Sequence, residues 1–302
     1  MNGGDNINNT LLEKIGNTPI KRLINYEKRY KLSSRIYAKI EYSNPFGSIK
    51  DRSALIMIKD AIDSGILQKG DTIIEATSGN LGISLAAISN ILGYDCKIFM
   101  PENMSENRKN LITAYGAELI LTDKNKGMQY SIQKAKKLSG ANTNYCYINQ
   151  FENFSNIDAH LITGKEITSE IPEVDYIICG IGSGGTIMGL ANHFINKSTK
   201  IIGVEPQASP ILSKGYAGSH KIQGIGAGFI PKILDISLIN DIITVSDEEA
   251  FEECKNIKNT DNLSVGISSG AVLAACQKLC KKENLNNKII VMIFADSGDR
   301  YK

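Results

Sequence analysis

Four short segments of this chain gather residues that could do chemistry. The first, NPFGSIKDR at residues 44–52, follows a turn signal with Ser48 and Asp51 at capping-box spacing, which predicts a helix start with Lys50 in its first turn. A lysine there opposes the positive end of the helix dipole, which favours the neutral amine that condenses with a carbonyl. An ordinary surface lysine fits the spacing as well. The second, EATSGNLG at residues 75–82, joins a strand to a helix and sets the hydroxyls of Thr77 and Ser78, the flexible Gly79 and the Asn80 amide at a helix N-terminus. That is a cradle for a carboxylate, or a plain capped turn. The third, GIGSGGT at residues 180–186, lets several backbone amides approach one phosphate. It also satisfies GxGxxG, with Glu205 about twenty residues on, so a nicotinamide-dinucleotide site is a rival reading. The fourth, GISSG at residues 266–270, has the GxSxG form of a hydrolase nucleophile elbow, but His160, His193 and His220 all precede Ser268, the wrong order for that chemistry.

The elements that must position these segments alternate along the chain. DTIIEA precedes LGISLAAISNILG, CKIFMP precedes SENRKNLITAYG, and AELILT precedes MQYSIQKAKKLSG. Such alternation predicts parallel strands with helical crossovers. It resumes with VDYIIC before TIMGLANHFI, then KIIGVEP, then LSVGISSGAVLAACQKLC before KIIVMIFA, so two α/β units are expected. Gly65, Gly93, Gly116 and Gly140 fall where helices should stop. The stretch 206–234, with HKIQGIGAGFIP, is too glycine-rich for another βα unit and reads as a packed functional loop.

Composition narrows the partners. The 302 residues carry 34 Lys and Arg against 32 Asp and Glu, a formal charge of +2, so neither nucleic acid nor an acidic membrane surface is an expected partner. The polar start MNGGDNINNT lacks a signal-peptide pattern, which predicts a cytoplasmic protein. Cys96, Cys146, Cys179, Cys254, Cys276 and Cys280 form no CxxC pair and read as reduced, buried hydrophobes. Cys276 and Cys280 share a helix face without a neighbouring histidine, so no metal is expected.

Taken in order, IGNTP, NPFGSIKDR, ATSGN, GIGSGGT, GVEP, HKIQGIGAGFIP, VGISSGA and DSGDRY resemble the cysteine synthase and cystathionine β-synthase family over residues 12–301. The resemblance implies an α/β fold with two doubly wound α/β domains, the fold-type-II arrangement similar to the tryptophan synthase β-chain, with pyridoxal 5'-phosphate as cofactor. A smaller substrate-loop domain of residues 45–153 and a larger phosphate-binding domain of residues 1–44 and 154–302 would face each other across the active site. Carried over by position, Lys50 is the Schiff-base lysine, Asn80 the partner of the cofactor's ring hydroxyl, and Gly182, Ser183, Gly184, Gly185 and Thr186 the phosphate loop. Ser268 is the partner of the pyridine nitrogen. Thr77, Ser78, Gly79, Asn80, Leu81, Gln150 and Gly224 border the substrate.

The implied reaction is β-elimination and β-replacement on a serine- or cysteine-derived amino acid through an aminoacrylate. O-acetylserine with sulfide is the leading pair, and an L-cysteine-consuming reaction that releases hydrogen sulfide is the alternative. A homodimer is implied, and a haem-binding or regulatory extension is not expected. The chain departs from the family pattern at Leu81, where relatives carry threonine, at Lys165, at Asp261 and Asn262, and at Lys232. A leucine beside the substrate would favour a thiol over an oxygen and raise the preference for L-cysteine, unless its side chain packs inward.

Overall fold

The computed structural model describes residues 10–77 and 79–301. Among the described residues, ten strands fall into two sheets. The first joins β1 (Ile20–Arg22), β2 (Ser33–Ile40), β7 (Tyr176–Gly180), β8 (Lys200–Pro206), β9 (Asp241–Val245) and β10 (Asn286–Phe294) in the order β1-β2-β10-β7-β8-β9. Among the described strands of this sheet, the β1–β2 pair is antiparallel and the other pairs are parallel. The second sheet joins β3 (Thr72–Ala76), β4 (Asp95–Pro101), β5 (Glu118–Thr122) and β6 (Tyr145–Tyr147), all parallel, in the order β5-β4-β3-β6.

Apolar runs make these strands because a parallel strand covered by helices on both faces has no solvated side. In β10, Ile290, Met292 and Phe294 enter one core with the helix Ile267–Lys282, while Val291 and Ile293 enter another with the helix Gly185–Phe194. Each fully buried residue of this size contributes about 1.5–3 kcal/mol of hydrophobic stabilisation. The second sheet has its own core, in which Ile73, Ile98 and Met100 meet residues of the helices Lys50–Asp63 and Asn80–Leu92. The helix Lys50–Asp63 also packs on Ser155–Glu170, which flanks the first sheet, so Lys50 starts an element shared by both halves.

Several elements differ from the sequence expectation. The LSV run before Gly266 is no strand, since Val265 makes only a single bridge to Ser297. The capping box at Ser48 does not form. The helix begins at Lys50, whose N–H donates to Ser48 Oγ at 3.2 Å, while Asp51 turns back to accept from the Phe46 N–H at 2.7 Å. That carboxylate secures the NPFG turn instead of the helix end. Strands β1, β2, β6 and β9 lie outside the runs marked in the sequence, and within 207–234 the described helix is the short Ile211–Lys214.

Candidate active site

In doubly wound sheets, ligands bind beyond the carboxyl ends of the strands, where neighbouring strands lead their crossovers apart. Here β10 lies beside β7 although more than a hundred residues separate them in sequence, and a cavity opens beyond their carboxyl ends. Gly180, Gly182, Ser183, Gly184 and Thr186 come to it from the end of β7, Ala295 and Asp296 from β10, Asn80 from β3, and Ile49 and Lys50 from the shared helix. Gly224 and Ser268 close it. Six segments distant in the sequence thus line one space.

The β7 loop is built to receive an anion. Among the described residues, the N–H groups of Gly182, Ser183 and Gly184 meet no acceptor, and the helix Gly185–Phe194 starts without a side-chain cap. Its first amides add to an array of donors at the positive helix end. Gly184 has φ +92°, the left-handed region that turns the loop into the helix. A Cβ on Gly182 would lie 2.4 Å from the Gly224 carbonyl oxygen, so only glycine lets the two loops approach. Unused amide donors, a lysine and hydroxyls fit an aldehyde-bearing phosphate ester, the chemistry of pyridoxal phosphate.

Lys50 is half-buried, and burial pushes its ammonium down to about 8, with the Asp296 carboxylate opposing the shift. Desolvation disfavours the cation and so prepares the amine for carbonyl chemistry. Beneath the loop lies His160, fully buried between the hydroxyls of Ser53 at 3.2 Å, Thr163 at 3.1 Å and Thr186 at 3.3 Å. Burial, then the charges of Lys50 and Arg52, drive its pKa well below the usual value, so it orients Thr186 as a neutral ring. Asn156 joins two predicted segments, donating to the Gln150 carbonyl at 2.9 Å and to Ser183 Oγ at 3.0 Å. Sequence reasoning missed both His160 and Asn156, whose only signal was a polar type within a helical pattern.

Asn80 begins the helix Asn80–Leu92, and its amide is held on both sides. Its Nδ2 donates to Asp296 Oδ2 at 2.6 Å, and its Oδ1 accepts from Arg300 Nη1 at 2.8 Å. Thr77, Gly79 and Gln150 lie in segments next to the cavity but not in its wall. Glu75, fully buried, ties two of these segments together by accepting from the Ala76 N–H at 2.8 Å and the Gln150 N–H at 3.2 Å. Ser78 lies outside the described residues, and Gly185 sits behind the loop against Asn156.

Leu81 is not brought to the cavity. It is 1 % exposed and belongs to the core of the second sheet, because the residue after Asn80 on a helix projects about 100° away from it. Two rival readings meet obstacles here. Glu205, the acidic partner a dinucleotide would need, instead accepts from the N–H groups of Leu212 and Ser213, each at 3.0 Å. Ser268 lies within the first turn of a helix, with no histidine in hydrogen-bond contact among the described residues.

The family model for pyridoxal-phosphate dependent enzymes matches residues 11–296. The chain belongs to that family. Pyridoxal phosphate is accordingly its cofactor, and the fold is the family's paired α/β arrangement. Among its relatives, cysteine synthase B of Campylobacter jejuni is 46% identical over 293 residues, spanning 96% of this chain and 95% of its own length. The cysteine synthase of Buchnera aphidicola is 44% identical over 300 residues, spanning 95% and 92%. The crystal structure of a cysteine synthase from Entamoeba histolytica superposes with a TM-score of 0.93 at 39% identity, covering 96% of this chain and 88% of that one. A hydrogen sulfide-producing enzyme from Fusobacterium nucleatum gives 0.92 at 42% identity, covering 97% and 99%.

Proposed function

We propose that this pyridoxal-phosphate dependent enzyme is a cysteine synthase that replaces the acetoxy group of O-acetylserine with sulfide, yielding L-cysteine and acetate. The observation that carries the reading is the meeting of a desolvated lysine amine with the unused amides of the β7 loop in one cavity. Pyridoxal phosphate, when bound, supplies an aldehyde for an amine to hold and a ring that stabilises negative charge at the substrate α-carbon. Lys50 would hold that aldehyde and, once displaced by the substrate amine, take the α-proton. Gly182, Ser183, Gly184, Gly185 and Thr186 would hold the phosphate, and Asn80 would donate to the ring hydroxyl. Ser268 would offer the ring nitrogen a neutral hydroxyl, which, unlike a carboxylate, would not hold that nitrogen protonated and so would limit side reactions. Thr77, Ser78, Gly79 and Gln150 would hold the substrate carboxylate, and Gly224 would border the substrate.

The two sheets support a division into a unit of residues 45–153, which contains β3 to β6, and a unit of residues 1–44 and 154–302, which contains the other strands. The reading includes a cytoplasmic homodimer, which size-exclusion chromatography with light scattering tests. Purified protein should turn over O-acetylserine with sulfide, and Lys50→Ala should lose both turnover and the visible absorbance of the bound cofactor. A Lys50→Ala protein that kept both would end the proposal. The likeness to a hydrogen sulfide-producing enzyme favours one second reading, the consumption of L-cysteine with release of sulfide. Sulfide release from L-cysteine without any turnover of O-acetylserine would replace the first reading with the second.

A further inference from the structure

The terminal DSGDRY motif has no role in the chemistry above, yet Asp296 lines the cavity at 1 % exposure and Arg300 reaches back to Asn80. The geometry points to the C-terminal segment 296–301 as the device that fixes the orientation of the Asn80 amide, with Asp296 and Arg300 as positioning residues. This inference rests on the reading of Asn80 as the partner of the cofactor's ring hydroxyl.

A primary amide has nearly the same shape when its oxygen and nitrogen exchange places, so shape alone cannot decide which atom faces a ligand. Neighbours of opposite hydrogen-bonding capacity decide it. A carboxylate only accepts, and Asp296 Oδ2 takes the Asn80 Nδ2 hydrogen at 2.6 Å. A guanidinium only donates, and Arg300 Nη1 reaches Asn80 Oδ1 at 2.8 Å. The flipped amide would set oxygen against carboxylate and NH₂ against guanidinium, losing both contacts. With one Nδ2 hydrogen on Asp296, the other remains to donate into the cavity.

The clasp is itself anchored to the other site segments. The Tyr301 hydroxyl donates to Asp296 Oδ2 at 2.6 Å, and the Arg108 guanidinium lies 5.2 Å from the centre of the Tyr301 ring. Arg300 Nη2 donates to the Phe46 carbonyl in the turn before Lys50. The Asp296 carbonyl accepts from the Gly266 N–H at 2.9 Å, just before the Ser268 helix, and Ser48 bridges to Asp296. The tail thereby refers Asn80 to the segments that carry Lys50 and Ser268.

The test strips the cofactor from the full-length protein, titrates pyridoxal phosphate back, and records its affinity and visible absorbance maximum in single and double variants. Asn80→Ala should weaken binding and shift the maximum. Asp296→Ala and Arg300→Leu should each weaken binding about three- to tenfold, the scale of one lost hydrogen bond, and shift the maximum the same way. Asp296→Asn, whose carbonyl can accept both bonds, should keep the wild-type spectrum. In an Asn80→Ala background, Asp296→Ala should add nothing. The clasp is overturned if Asp296→Ala and Arg300→Leu keep wild-type affinity and spectrum while Asn80→Ala alters both, or if the Asp296→Ala effect persists in full without Asn80. Should Asp296→Ala fail to fold, Arg300→Leu and Asp296→Asn decide by the same criteria. If Asn80→Ala itself changes neither quantity, the assignment of Asn80 to the ring hydroxyl falls, and the clasp with it.

Discussion

Desolvation acts on Lys50 in a direction that can be measured. An amine held down to about 8 is substantially neutral at mildly alkaline pH, where an exposed lysine with its ordinary value of 10.5 remains protonated. The initial rate at which stripped protein gains visible absorbance on adding pyridoxal phosphate should therefore rise through a midpoint near pH 8. A midpoint near 10.5 would show that the ammonium is not desolvated. Leu81 makes the opposite case, a residue whose type suggested the substrate and whose place is the core. Leu81→Thr should leave the ratio of kcat/KM on L-cysteine to that on O-acetylserine unchanged. It should lower stability by about 1–3 kcal/mol, because it buries a hydroxyl among apolar side chains. A changed ratio at unchanged Tm would return Leu81 to the site.

Between elements, the Lys50 helix is fixed by a buried ion network. Arg52 Nε reaches Glu41 at 2.7 Å, and Arg52 Nη1 and Nη2 each reach Glu166 at 2.7 Å from the neighbouring helix Ser155–Glu170. Lys39 at the end of β2 also pairs with Glu166 at 2.7 Å. Thr18 of the IGNTP motif donates to Glu41 at 2.7 Å, and Glu41 in turn accepts from Asn44, which leads into the NPFG turn. The network sets where Lys50 begins its helix relative to the first sheet. Removing one partner strands the others in a dry environment, so Glu166→Ala should destabilise the protein by about 3–5 kcal/mol, read from urea unfolding. A loss below about 1 kcal/mol, the scale of exposed pairs, would mean that water reaches the network.

Over the whole molecule, buried carboxylates give stability a definite pH dependence. Burial pushes Glu75 up to about 8 and Asp51 up to about 7. In the unfolded chain these groups ionise near 4, so between roughly pH 4 and 8 the folded state holds more protons and stability falls as pH rises. Against its own burial, Glu166 is held down to about 2 by Arg52 and then Lys39, and the stability it contributes is lost as pH falls below about 4. Thermal unfolding of the stripped protein should therefore give its highest Tm near pH 4–5, and Glu75→Gln should flatten the decline toward pH 8. A wild-type maximum at pH 8 would refute the burial of these groups as charged-state penalties.

The sequence by itself determined the alternating parallel architecture, because strand and helix periods are local and a covered parallel strand must be apolar along its whole length. It also marked Lys50, Asn80, the β7 loop and Ser268, whose types and spacing were each ambiguous alone and informative in order. Tertiary structure decided what no spacing encodes. It placed β10 beside β7, and so brought residues 180–186 and 296 to one cavity. It turned Asp51 toward the Phe46 N–H instead of the helix cap and sent Leu81 into the core. It also committed Glu205 to Leu212 and Ser213, and set His160 beneath Thr186. In each case a polar or apolar side chain took the partner that burial offered it, and burial is set by elements far away in the chain.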